Sequence, residues 1–399
     1  MGSNNLNLLR PIGQFGTRLQ GGKDAGSARY INTYLSAIAP AVFPKDDVAV
    51  LKWREDDGAT VEPWHFLPVV PMVLVNSANG IGTGFSTQVP CYDPRDLVDR
   101  LLTLLDADPE DPDATALAPL HPWYRGFKGR IVQTNAGAEG VPAKYVSVGC
   151  FERVSAAKAR ITELPVGTWT EDYKGFIEAH VDAAADIKAV DPEYTDEVAR
   201  FLVTFASPEA LQKRMEAGPD GFSVFEHEFK LVASKGLSTG NMYLFDAGGR
   251  IVKYASAVDI LRAFFPVRLQ GYRDRRAKQI ATLEDELVVL GAKQRFVAGV
   301  IDDTVRIMKV ARADVVAQLL QQGFPAGRDG DAEDGGRYDY LLNMPAHSFT
   351  TERVQALLRQ IADLQQQLEA LRNTTPQDMW RGELAKLREE YSTLLCGRR

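Results

Sequence analysis

The feature that most narrows the possible folds is a change of character at residue 257. From Ala257 to about Val310 the chain has few glycines and many charges, and Leu283, Leu287, Leu290, Val297 and Ile301 step along it at helical spacing. Those steps place apolar side chains on one face of a long amphipathic helix, with a seam near the heptad period. Val354, Leu357, Ile361, Leu364, Leu368 and Leu371 repeat the pattern. Two such helices separated by a further stretch predict an antiparallel pair carrying a small module at its tip. An arm of that kind serves as a spacer or a dimer device, and the alternative is two helices of a compact bundle.

Upstream of that change the pattern is mixed. The run "FLPVVPMVLVN" (Phe66 to Asn76) is bounded as a buried strand would be, and "KARITEL", "RFLVTFA" and "NMYLFDAGGRIVKYAS" read as further strands, the last as a hairpin turning at "AGG". "DPRDLVDRLLTLL" reads as a helix, with Asp93 as cap and Pro94 in the first turn. A chain of 399 residues, 45% apolar and 25% charged, buries a large core and divides into two or three domains. The expected class is α+β and multidomain. Residues 1–36 are too few to form a core of their own and read as the end of a small domain. Residues 37–255 read as one α/β domain or two closely joined, and residues 256–399 as the helical arm.

A formal net charge of −7 argues against wholesale coating by nucleic acid, because phosphate affinity comes from clustered cations. Local sign matters more. Residues 1–30 hold Arg10, Arg18, Lys23 and Arg29 against the single Asp24, while acid gathers in Asp106–Asp113 and Gly327–Arg337, which read as solvated loops. Cys91, Cys150 and Cys396 are an odd count without metal spacing, which predicts no disulfide scaffold and a reducing compartment. His65, His121, His180, His227 and His347 are scattered, and none is assigned a metal. No run approaches a membrane span and no signal pattern opens the chain, so an intracellular protein without membrane contact is expected.

The loop "QGGKDAGSARYINTYLS" (Gln20 to Ser36) crowds glycines, a lysine and an Arg-Tyr pair into a polar stretch before an apolar one. A Walker loop starting at Gly16 fails, because Lys23 falls one place late and Asp24 stands where the hydroxyl belongs. A tyrosine nucleophile fits better. A phenol titrates near 10, so Tyr30 would need a cation to stabilise its phenolate and the charge on a phosphate under attack. Arg29 is adjacent, and Lys23 can add a point charge. The chemistry alone also allows a tyrosine that simply packs with its hydroxyl at the surface.

The run "GSNNLNLLRPIGQFGTRLQGGKDAGSARYI" resembles the end of the winged-helix domain of eukaryotic-type DNA topoisomerase II, where an Arg-Tyr pair follows a Gly-Gly-Lys-Asp loop. "VEPWHFLPVVPMVLVNSANGIGTGF" is similar to that family's Pro-rich strand and Gly-Ile-Gly-Thr-Gly turn. "PWYRGFKG" and "ITELPVGTWT" are similar to its tower region, and "YDYLLNMP" to the entry of the returning helix of its coiled-coil gate. The matches are collinear from Gly2 nearly to the end.

The resemblance implies a DNA-gate segment of an ATP-dependent type II topoisomerase, which makes a transient double-strand break through a 5′-phosphotyrosyl link. Tyr30 is then the nucleophile and Arg29 the stabiliser of the transition state. Ile81 is the wedge that bends DNA, and Trp169 touches DNA; the residues alone also allow a buried turn isoleucine and a core tryptophan. Lys23, Arg18 and Gln14 are implied phosphate contacts, which position DNA without reading it. The implied domains are the end of a winged helix with the tyrosine loop (1–36), a DNA-bending tower (37–255), and a coiled-coil arm with an exit-gate module (256–399). Partners are double-stranded DNA and a second copy of the chain. Mg²⁺ and ATP are expected to bind in regions absent from this chain, in an amino-terminal half supplied in cis or in trans. A non-catalytic DNA-binding dimerisation fragment is the alternative. The implied location is the nucleus of a cellular eukaryote, or the host cell or virion if the source is viral.

Overall fold

A computed structural model describes residues 4–107, 117–135, 141–218, 220–234, 236–327 and 338–397. The acidic tracts Asp106–Asp113 and Gly327–Arg337 lie almost wholly outside the described residues. The chain is mixed α/β, with helices and small antiparallel sheets, and it divides into two units. One comprises Met1–Lys45, Phe66–Arg268 and Arg381–Arg399, the other Asp46–His65 and Leu269–Trp380. Three consecutive segments do not express this grouping, because residues 46–65 join the helical unit and residues 381–399 join the first.

The first unit is organised by a four-stranded antiparallel sheet in the order Cys150–Ser155, Lys158–Glu163, Phe201–Phe205, Ile187–Pro192. Burial alternates along its central strands, with Ala159 and Ile161 inside on one and Phe201, Val203 and Phe205 on the other. That period of two is what a half-covered sheet demands. Helix Thr170–Ala183 lays Tyr173 and Ile177 on the apolar face, and Phe225, Phe229 and Leu231 complete the core. The Tyr173 phenol is buried yet satisfied, since it donates to the Phe229 carbonyl at 2.7 Å. Helix Pro94–Asp106 begins as its sequence predicts: the Asp93 carboxylate accepts from the Arg95 amide at 2.9 Å, and Pro94 occupies the first turn.

The apolar run Phe66–Asn76 departs from the predicted strand. Its carboxy-terminal part is a one-turn helix, Met72–Asn76, entered through Pro71 in extended backbone. Pro68 and Pro71 withhold the amides that a buried central strand would need, so the run closes a helical turn instead, and the Val69 amide reaches the Val42 carbonyl at 2.9 Å. The Leu74 amide donates to the Pro71 carbonyl at 2.9 Å, while Val69, Val70, Leu74 and Val75 remain buried. In contrast, "NMYLFDAGGRIVKYAS" forms the expected hairpin, Met242–Phe245 against Ile251–Tyr254.

In the second unit, the long helix Ala257–Ile301, which begins in the first unit, is followed by Arg312–Gln321 and Thr351–Asn373. Arg276 donates from Nε to the Leu371 carbonyl at 3.2 Å and from Nη2 to the Arg372 carbonyl at 2.6 Å. An early part of the first helix thus meets the end of the returning one, and the two run in opposite directions. Ala292 and Phe296, from the end of the long helix, join Val305, Val315, Leu319, Phe324, Tyr338 and Leu341 in one apolar cluster. Along the seam Leu283, Leu287 and Leu290 are half-buried, whereas Val297 is fully covered.

The core of the first unit depends on stacked rings. Phe225 lies 4.3 Å, centroid to centroid, from both Phe151 and Phe229. Phe225→Ala is expected to destabilise this unit by about 3–5 kcal/mol, the usual cost of removing a buried aromatic ring. Urea denaturation followed by far-ultraviolet circular dichroism measures it, and a loss below about 1 kcal/mol would show that the site collapses around the cavity.

Candidate active site

The Arg-Tyr pair sits on a single 3₁₀ turn, Ala28–Tyr30, closed by the Tyr30 amide on the Ser27 carbonyl at 2.9 Å. None of the turn's residues is buried, and Tyr30 is 77% exposed. Its ring therefore contributes nothing to a core. The Arg29 guanidinium carbon lies 5.1 Å from the Tyr30 ring centroid, a cation–π contact at the surface. The phenol is thus offered to solvent with a cation on the face of its ring.

The loop leading to this turn is anchored in four ways. Within it, the Asp24 carboxylate accepts from the Thr17 amide at 3.0 Å and the Thr17 hydroxyl at 2.6 Å, bonds that hold its pKa below the usual carboxylate value. At its tip, Gly21 adopts φ +62° against the face of Trp169, where a Cβ would stand 2.1 Å from the indole. Only glycine meets both the backbone angle and the approach. The Leu19 carbonyl also receives the Glu171 amide at 3.0 Å, which satisfies an otherwise unpaired donor in the first turn of helix Thr170–Ala183. Finally, Arg18 forms an ion pair with Glu163, whose side chain is only 2% exposed.

Ile81 belongs to a separate device. It lies on the hairpin Ala78–Gly82/Phe85–Val89, paired with Ser86, and the chain turns through Thr83 and Gly84, both at positive φ. That is the two-residue turn whose twist matches a hairpin. Ile81 is 84% exposed, so it is not a buried turn residue. A Cβ added at Gly80 or Gly82 would meet nothing within 4 Å, leaving open space on both sides of it. The hairpin is held near its base by the Gln88 amide on the Asn241 carbonyl at 2.8 Å and beside its turn by Phe85 against Tyr243, with centroids 5.3 Å apart.

The structure therefore brings Arg29 to Tyr30, Arg18 to the base of the tyrosine loop and Trp169 to its tip, while Ile81 stands on its own support. Lys23 and Gln14 are exposed on the loop. Arg18 and Trp169 are engaged in holding the loop, one by charge and one by packing. Sequence reasoning gives no role to Glu163, although the alternation of "KARITEL" points it inward. It also passes over Tyr34, whose hydroxyl accepts from Arg10 Nη1 at 2.8 Å. The signal for it is the pairing of segments 7–10 and 33–36, joined by the Leu9–Leu35 bridge and by the Ser36 amide on the Leu8 carbonyl at 2.8 Å.

The loop does not fit a divalent cation. Its charged side chains are Arg18, Lys23, Asp24 and Arg29, and the lone carboxylate is committed to Thr17. Among the described residues, no group of three or more His, Cys, Asp or Glu stands together as a metal site. Among them, too, no helix is long and apolar enough to cross a membrane.

Comparison with solved structures agrees with the class described above, a mixed α/β chain. The chain superposes on the Plasmodium falciparum topoisomerase II DNA-binding, cleavage and re-ligation domain with a TM-score of 0.83 and 33% identity, over 99% of this chain and 54% of that one. The chain belongs to the DNA gyrase/topoisomerase IV family of A-type subunits, whose model matches residues 1–385. It is 37% identical to DNA topoisomerase 2 of Arabidopsis thaliana over 99% of its length and 34% identical to DNA topoisomerase 2-alpha of Homo sapiens over 99%. It spans 28% and 26% of those two proteins.

The loop's placement turns on the glycine contact. Gly21→Ala is expected to displace the loop from Trp169 at a cost of about 1–3 kcal/mol from overpacking. Limited trypsin digestion should then cut faster at Arg18 and Lys23; unchanged rates would show that the contact does not hold the loop.

Proposed function

We propose that the chain is a DNA-gate segment of a type II topoisomerase, with Tyr30 as the nucleophile that opens one strand. The reading is supported by the exposed Tyr30 phenol beside the Arg29 guanidinium in a chain of this family, where the chemistry needs both groups. The phenolic oxygen attacks a phosphodiester phosphorus, the bond from phosphorus to the 3′ oxygen breaks, and a 5′-phosphotyrosyl link forms. The phenol gives up its proton and the released 3′ oxygen gains one, so the exchange is proton-neutral. The phosphodiester bond is kept in the protein link, and resealing is the same step reversed. Arg29 stabilises the charge that accumulates on the phosphoryl oxygens. A double-strand break needs two such tyrosines, which a symmetric dimer of the chain supplies.

Ile81 is the wedge. An apolar side chain presented at the edge of a glycine hairpin can enter between base pairs, unstack a step and bend the duplex. Lys23 and Gln14 contact phosphate, and Arg18 and Trp169 contribute by fixing the loop and by meeting DNA at its margin. Residues 1–36 are the end of a winged helix, residues 37–255 the bending tower, and residues 256–399 an arm with an exit-gate module. Mg²⁺ and ATP act through further domains of the enzyme, in cis or in trans, and the eukaryotic relatives support a nuclear location.

The decisive test mixes the protein with its amino-terminal half, Mg²⁺ and 3′-labelled duplex and looks for covalently attached label on a denaturing gel, since the 5′-phosphotyrosyl link holds the fragment that carries the 3′ end. Wild type is expected to form the adduct and Tyr30→Phe to form none; an adduct in the phenylalanine variant would end the assignment. Ile81→Ala is expected to reduce DNA bending, read by energy transfer between end-labelled dyes, while leaving Tyr30 chemistry in place. Unchanged bending would remove the wedge.

A further inference from the structure

Four cations mark the amino-terminal patch, and the structure separates their roles. Arg18 is spent on Glu163, and Arg29 and Lys23 belong to the tyrosine loop. Arg10 remains exposed, and no carboxylate among the described residues pairs with it. Yet it is not a loose surface arginine. Its amide donates to the Tyr34 carbonyl at 3.0 Å, and its own carbonyl accepts from the Thr33 hydroxyl at 2.7 Å, so the backbone beneath it is fixed. Its Nη1 donates to the Tyr34 hydroxyl at 2.8 Å and its guanidinium carbon lies 5.2 Å from the Tyr34 ring centroid. One edge of the fork is held on a phenol, and the other donors face solvent.

That arrangement is pre-organised for a planar, doubly bonded anion. A free arginine loses rotamer entropy when it binds, and an arginine already held on a ring has lost much of it on folding. The fork geometry matches two oxygens of a phosphate. The location selects which phosphate. Tyr34 is four residues beyond Tyr30, so their backbones are at most about 14 Å apart however the chain runs between them. A DNA strand advances about 3.4 Å per charge along its axis, so that backbone separation corresponds to about four phosphates, to which the reach of the two side chains adds.

We propose that Arg10, oriented by Tyr34, is a DNA-backbone contact beside the cleavage site, taking a phosphodiester within a few steps of the one that Tyr30 attacks. The inference rests on the gate reading above. It makes Tyr34 a positioning residue, which acts through the arginine and touches no reacting atom.

The test is equilibrium binding of a fluorescent duplex by the protein without divalent cation, over a series of KCl concentrations. Arg10→Ala is expected to lower the slope of log affinity against log salt by about 0.9 for each phosphate that is no longer neutralised, uniformly across DNA sequences. Arg10→Lys should retain the slope because it retains the charge. Tyr34→Phe should also retain it while weakening binding severalfold, since the ring stays and the hydrogen bond goes. An Arg10→Ala variant with the slope of a salt-sensitive wild type overturns the proposal, as does an Arg10→Lys variant whose slope falls as far as that of alanine. A wild-type protein whose DNA binding ignores salt would instead count against the gate reading itself.

Discussion

Burying the Glu163 carboxylate is the constraint on which the placement of the tyrosine loop depends. The alternation that sends Ala159 and Ile161 into the sheet's apolar face sends Glu163 inward as well. An ionised carboxylate taken from water needs a cation and further donors, or it costs several kcal/mol. The Leu164 amide supplies one donor at 2.9 Å and Arg18 supplies the charge. The sheet therefore recruits a residue from a loop far upstream in the sequence, and the loop's tip is pressed against Trp169 by the same docking. A structural need of the core fixes where the exposed turn begins.

The exposed residues make sense only against that rigid base. An ordinary fold covers a tyrosine ring or an isoleucine side chain where it can, because each buried apolar group returns about 1.5–3 kcal/mol. Tyr30 and Ile81 forgo that gain on supports that are themselves fully bonded: a closed 3₁₀ turn for one and a five-pair hairpin ladder for the other. Scattered surface hydrophobics need no explanation, but a side chain held outward between glycines with open space on both sides is the arrangement that the proposed wedge requires.

Much of this was legible in the sequence because its causes are local. The helix from Pro94, the hairpin at Met242–Tyr254 and the long helix from Ala257 all follow from caps, turns and periods that a short window contains. The Phe66–Asn76 run misled because its composition matches a buried strand, and only counting the amides lost at Pro68 and Pro71 favours a turn of helix. The return of Arg381 and Arg388 to Asp106 and Asp99 could not be read, since that pairing joins positions almost three hundred residues apart and leaves no periodic trace. At the site, Arg29 and Tyr30 were visible as neighbours. The commitment of Arg18 to Glu163 was hidden for the same reason of distance, and it transfers the solvent-facing charge to Arg10.

Charge distribution then decides how such a protein meets a polyanion. The whole chain carries −7, which would repel DNA if it were spread evenly. Screening confines each charge to a neighbourhood of about 8–10 Å at ordinary ionic strength, so a patch of one sign acts almost independently of the distant average. In residues 1–36 the only carboxylate is Asp24, and it is turned onto Thr17, leaving Arg10, Lys23 and Arg29 as the exposed charges of that surface. On the proposed gate reading, acid elsewhere would repel DNA from other approaches and the patch would attract it to one, so the same acidic composition that argues against general nucleic-acid coating would sharpen the orientation in which a duplex meets Tyr30.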